Sequence, residues 1–216
     1  MFMLFIPTAI LSVLVGFDLP LGFSRMTGAT LPYSKEIFYV IAGLFFILGG
    51  RRSVQRWSGL KMVADTQRFL WNYPMDKKRV SRVYMYLMLE GFFHLFFAIL
   101  LYGVTPLFFP VGLALAILAA DHFIFAIVGK SKKLFRIGIT KNAIVFADRE
   151  VNVIYFSGLR RISVQQQSIY FDYIKELQLS ASIDGISSEN RKSFRETIEN
   201  SVDRNVTFFS EGFKDL

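Results

Sequence analysis

The chain has 216 residues, 53% of them apolar, with 24 Phe, no Cys and a formal net charge of +8; its mean hydropathy is +0.40. So much aliphatic and aromatic material is unusual for a soluble domain, and the lack of cysteine excludes a disulfide framework, thiol catalysis and any Cys-based metal site. Residues 1–133 hold 14 basic and 6 acidic groups while residues 134–216 hold 11 of each, so the whole excess lies in the apolar half, where it reads as a membrane-topology signal and not as a nucleic-acid-binding surface.

Four apolar segments follow one another: Phe2 to Phe17, Ile37 to Gly50, Val83 to Leu101 and Leu107 to Val128. A span needs roughly 20 predominantly apolar residues. The last two meet this, the second does so if Arg51 and Arg52 snorkel to the headgroups, and the first, without a basic region or cleavage site, is expected to be a retained helix. Gly43, Gly49 and Gly50, and Gly112 with Ala116 and Ala120, are expected as helix-packing positions, where small residues let backbones approach.

The connections orient the spans. Between the second and third segments lie Arg51, Arg52, Arg56, Lys61, Arg68, Lys77, Lys78, Arg79 and Arg82, and Lys130, Lys132, Lys133 and Arg136 follow the fourth. The opposite connections hold only Arg25 and Lys35 in one case and no cation in the other. The positive-inside rule then places both termini and the 51–82 loop in the cytoplasm, in a cell inner membrane whose anionic leaflet the basic residues face. Val54, Trp57, Leu60 and Met62, with Phe69, Leu70, Trp71 and Tyr73, interleave with these cations, which predicts a helix lying on the membrane surface and ended by Pro74.

Beyond Lys133 the pattern changes to short alternating runs. Strands are expected at 136–140, 143–146, 151–156, 159–164, 168–173 and 176–181, with turns at Asp148-Arg149-Glu150 and Asp184-Gly185. A helix follows, capped by Ser187 or Ser188, with Phe194, Ile198 and Val202 as its one apolar stripe. A small antiparallel sheet needs one face covered, and this helix is the available cover.

The stretches Ile139-Thr140-Lys141-Asn142-Ala143-Ile144-Val145, Tyr155-Phe156-Ser157-Gly158-Leu159-Arg160-Arg161-Ile162 and Ser193-Phe194-Arg195-Glu196-Thr197-Ile198-Glu199 have a layout that resembles the bacterial pleckstrin-homology-like domains attached to small membrane proteins. The resemblance covers about a third of the chain. It implies docking or assembly at the membrane and brings no catalytic residue with it; the neutral charge of this half gives no sign of the basic phosphoinositide pocket of some eukaryotic relatives. The fold expected is a membrane α-helical domain of four transmembrane helices over residues 1–130 and a small α+β cytoplasmic domain over 134–209, an antiparallel sheet capped by a C-terminal helix.

Both histidines, His94 and His122, lie in the third and fourth segments, beside Glu90 and Asp121. Ionisable groups in hydrocarbon face a bundle interior or a wet cavity, so these four are the candidate intramembrane polar site. At ~1.5 Å per residue from a hairpin apex at Thr105, Glu90, Asp121 and His122 share a level about 22–26 Å away and His94 is offset from His122 by about 9 Å. Three readings compete: polar contacts that fix helix packing or an oligomer interface, a proton relay or divalent-metal site, and a haem held between the histidines, which the offset disfavours. No cofactor is expected, a divalent metal on His94, Glu90, His122 and Asp121 being the exception weighed. The function expected is non-enzymatic assembly, with the helices anchoring or oligomerising and the cytoplasmic domain binding a protein partner; the alternative is a proton- or metal-linked transporter, channel or membrane enzyme that uses the four residues.

Overall fold

The computed structural model describes residues 2–21, 26–174, 177–203 and 207–216. Arg25 of the first connection and Glu176 of the expected sixth strand lie outside the described residues. The chain divides into two compact units, Met1–Val54 with Tyr86–Ala126 and Gln55–Met85 with Ile127–Leu216.

The first unit is helical. Its elements come from α1 (Phe5–Gly16), α2 (Ser34–Ala64), α3 (Lys77–Val104) and α4 (Phe109–Ser131), and the division between the units falls inside α2, α3 and α4. Those three helices, the last with its leading turn at 106–108, are long and apolar enough to cross a membrane, which marks a multi-pass membrane protein. α1 has 12 residues, a rise of ~18 Å against a hydrocarbon thickness of ~30 Å. Its buried face is Phe5, Thr8 and Ser12. The Thr8 and Ser12 hydroxyls donate to the carbonyls of Leu4 (2.5 Å) and Thr8 (2.8 Å), while Met3, Ile6 and Ile10 point outward.

Phe5 is the pin of this unit. Its ring lies edge-on to Phe45 at 5.0 Å and to Phe97 at 4.6 Å, in a core completed by Phe38, Leu101, Phe108, Val111 and Leu115. Small residues permit the close approaches: a Cβ on Gly49 would collide with Leu118, and one on Gly91 with Phe123. Gly43 and Gly50, expected in the same role, have nothing near them, and Gly112 meets the Phe108 side chain of its own hairpin arm at 3.6 Å. The close-approach glycines of this unit therefore include Gly49 and Gly91, with Gly16 of α1 against Val104 of α3.

The second unit holds two four-stranded sheets. In the first, β1 (Trp71–Pro74), β2 (Arg136–Ile139), β3 (Ala143–Ala147) and β4 (Val151–Tyr155) form an antiparallel meander with Trp71 opposite Ile139, Ile137 opposite Phe146 and Ile144 opposite Ile154. In the second, β5 (Leu159–Gln165), β6 (Ser168–Tyr173) and β7 (Gln178–Ser182) continue antiparallel, and the two-residue β8 (Phe208–Phe209) adds on in parallel to β5. The single sheet expected from the sequence is thus two sheets. One strand was hidden upstream and the second sheet gains its parallel edge from the C-terminal tail.

The surface helix expected in the 51–82 loop is also corrected. α2 runs on to Ala64, because Arg56, Leu60 and Val63 recur at helical spacing and all three are buried. Here the helix packs on the first sheet: a Cβ on Gly59 would collide with Val151, and Asn72 Nδ2 donates to the Val63 carbonyl at 2.8 Å. That second cover explains why every residue of β3 is buried. Trp71 and Tyr73 then enter the sheet as β1, with Pro74 closing the strand where a missing N–H does no harm. The sheet domain expected over 134–209 accordingly takes in 55–85 as well. Arg136 fastens β2 to β1, donating to Asn72 Oδ1 at 2.7 Å, and burial pulls its pKa below the usual arginine range.

The final helix α5 (Arg191–Ser201) buries Phe194 and Ile198, and the Phe194 ring meets Trp71 edge-on at 5.2 Å. Trp71 Nε1 donates to Ser193 Oγ at 2.9 Å. Neither Ser187 nor Ser188 caps it. The turn at 188–190 precedes the helix, and Asn190, in the cap position, makes no side-chain cap hydrogen bond. A short α6 (Glu211–Lys214) is capped by Ser210 and buries Phe213.

Candidate functional site

Three helices of the helical unit each contribute two adjacent or helix-neighbour polar residues: Arg52 and Ser53 from α2, Glu90 and His94 from α3, Asp121 and His122 from α4. Glu90 Oε2 lies 3.2 Å from an Arg52 guanidinium nitrogen and 3.1 Å from His122 Nε2. Ser53 Oγ donates to Asp121 Oδ1 at 2.7 Å. The imidazoles of His94 and His122 stack, with centroids 5.1 Å apart and planes at 30°. Both are buried, at 3% and 2% exposure. The four residues singled out from the sequence thus lie together, joined by two that were not.

Each histidine is oriented by its own helix. His94 Nδ1 sits 2.5 Å from the Glu90 carbonyl and His122 Nδ1 2.6 Å from the Leu118 carbonyl. A carbonyl only accepts, so both Nδ1 atoms carry the hydrogen, which makes each Nε2 the acceptor of the neutral ring. Glu90 Oε2 approaches His122 Nε2 without the geometry of a hydrogen bond, and that nitrogen makes none among the described residues. His94 Nε2 is buried with no hydrogen-bond partner among the described residues.

The expected 9 Å offset between the histidines is overturned by their stacking. Helical side chains lean toward the N-terminus of their own helix. α3 and α4 are antiparallel arms of one hairpin, so the two rings lean toward each other and close a gap that backbone rise alone predicts. Stacked face to face, they leave no room for a haem between them. Among the described residues no group of three or more His, Asp or Glu is placed to hold a metal ion.

The basic residues separate into two sets. Arg52 contacts Glu90; Arg68 pairs with Asp65 at 2.6 Å; Arg79 pairs with Asp148 at 2.5 Å and approaches Asp184 at 3.6 Å; Arg82 also pairs with Asp184; and Arg56 is buried. Arg51, Lys61, Lys77, Lys78, Lys130, Lys132 and Lys133 have no carboxylate partner among the described residues. Lys130 lies over the Tyr84 ring, 4.3 Å from its centroid.

Sequence reasoning missed Arg52 and Ser53 as members of the cluster. The available signal was a charged and a hydroxyl residue side by side on a helix that needs no break at Gly50. No family model, no curated protein and no solved structure matches this chain.

Proposed function

We propose that the chain is a non-enzymatic assembly and docking protein of a cell inner membrane, with both termini cytoplasmic. Four segments embed in the bilayer and the sheet unit is a pleckstrin-homology-like module that binds a protein partner. The observation that carries the docking role is a group of outward-facing apolar side chains on that unit: Tyr155, Ile174, Leu177 and Phe208. Tyr155, Ile174 and Leu177 are held together by backbone bonds, Ile174 N–H to the Gly158 carbonyl at 3.1 Å and Tyr173 N–H to the Leu177 carbonyl at 2.8 Å, and by the Tyr173 hydroxyl donating to the Tyr155 carbonyl, while Phe208 lies on the β8 edge opposite Arg161. A meander of four strands, a meander of three and then α5 is the element order of the resemblance, which supports the module reading. The polar inner face and apolar outer face of α1 support its embedding as a fourth segment, and the unpaired lysines at the ends of α3 and α4 support the orientation.

Anchoring is supported by the Glu90 cluster, whose polar atoms turn toward neighbouring helices and fasten α2, α3 and α4. Cross-linking in native membranes followed by co-purification tests the proposal. The full-length triple variant Ile174→Asp, Leu177→Asp, Phe208→Asp should insert normally and lose its partner. If it retrieves the same partners in the same amounts, the docking role is wrong.

One observation favours a second reading, proton-linked transport: the Glu90 carboxyl lies 3.1 Å from His122 Nε2, and the Nε2 atoms of both buried imidazoles have no hydrogen-bond partner among the described residues. In proteoliposomes with an imposed pH gradient this reading expects proton flux above that of empty vesicles, and a collapse of that flux in Glu90→Gln. Equal flux in both preparations removes it.

A further inference from the structure

The sheet unit contains a cavity of about 810 Å³ whose wall includes Lys77 at the start of α3 and Lys130 and Lys133 at the end of α4. Ser187, Ser188 and Asn190, ahead of α5, and the apolar Val80 and Phe135 line it too. Two carboxylates also line it, Asp76 and Glu189. Asp76 is already engaged, accepting from the Lys78 N–H at 2.8 Å as the cap of α3. None of the three lysines has a carboxylate partner among the described residues. The cavity is therefore net positive, bordered by hydroxyl and amide donors, with an apolar side.

Its place along the chain identifies what would fill it. α3 and α4 are two of the three helices long and apolar enough to cross a membrane, so Lys77 and Lys130 lie at the ends of spans, where headgroup phosphates concentrate. Lys133 adds a further sign. It is held at φ 52°, just past the end of α4, a left-handed position that glycine occupies at least cost. The chain keeps a lysine there, and its backbone N–H closes the helix on the Lys130 carbonyl at 3.3 Å.

We propose that this cavity binds the phosphate group of an anionic phospholipid, with Lys77, Lys130 and Lys133 as its cationic contacts and the Ser187–Asn190 turn as donor of neutral hydrogen bonds. The inference rests on α3 and α4 spanning a membrane and is independent of the docking role. Native mass spectrometry of the full-length protein in detergent tests it. The wild type should retain phosphatidylglycerol at least tenfold more strongly than phosphatidylcholine. The variant Lys77→Gln, Lys130→Gln, Lys133→Gln should lose that preference, and Arg51→Gln, Lys61→Gln, Lys132→Gln, equal in charge removed, should keep it.

Lys133→Gly separates binding from folding. It should raise the melting temperature by relieving the left-handed strain while lowering phosphatidylglycerol retention several-fold. Equal retention of the two lipids by the wild type overturns the proposal, as does undiminished retention in the cavity variant. Displacement of the lipid by millimolar inorganic phosphate overturns the lipid as its source, and a joint loss of stability and lipid in Lys133→Gly marks the lysine as structural.

Discussion

The two units solve the problem of polarity in opposite ways. In the helical unit the hydroxyls of Thr8 and Ser12 and both imidazoles are inside, while Ile6, Phe46, Phe96 and Ile99 are outside. In the sheet unit Ile144, Ile162, Phe171 and Phe194 are inside and most charge is outside, the buried Arg56 and Asp148 being exceptions. The inversion is what two different solvents require. In hydrocarbon an apolar side chain gains nothing by hiding and a polar one must find a partner, whereas in water burial of the apolar side chain is the driving force.

Core truncation in the sheet unit breaks the contrast most forcibly. Phe171→Ala removes a fully buried ring and should destabilise that unit by about 3–5 kcal/mol, read as loss of the cooperative thermal transition of the purified protein. A matched pair of surface substitutions comes next. Phe96 and Phe208 are equally exposed, at 64% and 61%, yet Phe96→Asp should oppose insertion by about 3 kcal/mol while Phe208→Asp should shift stability by no more than about 0.5 kcal/mol. A glycosylation-tag insertion assay and a melting curve compare them, and equal effects would refute the assignment of separate solvents.

The third test is smaller. Glu90→Gln keeps the side chain's size and removes the charge facing Arg52 and His122. It should weaken the helical unit by about 1–2 kcal/mol, in the range of interhelical polar contacts in membranes, measured by denaturant titration in mixed micelles. The smallest effect is expected at Gly43, which has open space around it: Gly43→Ala should be neutral or slightly stabilising, by up to about 1 kcal/mol. Gly49→Ala, facing Leu118, should instead disrupt packing.

Most of the strands after Arg136 are legible in the sequence because β-branched and aromatic residues alternate within each run and turn residues separate the runs. Trp71–Pro74 is not legible as a strand. Its partner at 136–139 arrives only after two long helices, and four residues with two aromatics are equally at home on a membrane surface. The continuation of α2 through Arg51–Gln55 was masked by the change from apolar to charged residues, although helicity depends on the backbone and only lipid contact depends on the apolar face. In the candidate site the residue types were visible and the level of three of them was computable, but the meeting of His94 with His122 depends on side-chain lean, which backbone rise does not contain. Arg52 was misread for a related reason, since a cation near the end of a span is equally suited to a headgroup or to a carboxylate on the next helix.

The position of β1 ahead of the α3–α4 hairpin, with β2 immediately after it, bears on how the chain is made. Pro74 pairs with Arg136 and Trp71 with Ile139, so the first sheet cannot close until the whole hairpin has left the ribosome, and closure then joins a loop whose entropy cost grows slowly with its length. Both arms are long and apolar enough to span, and two crossings would return the chain to the side from which it started. One crossing, with either arm left outside the bilayer, would strand β1 and β2 on opposite sides of the membrane. Pairing of β1 with β2 therefore requires both strands on one side, and a half-inserted chain would present β2 and β3 with an unpaired edge, the kind of surface by which quality-control proteases and chaperones recognise unfinished proteins.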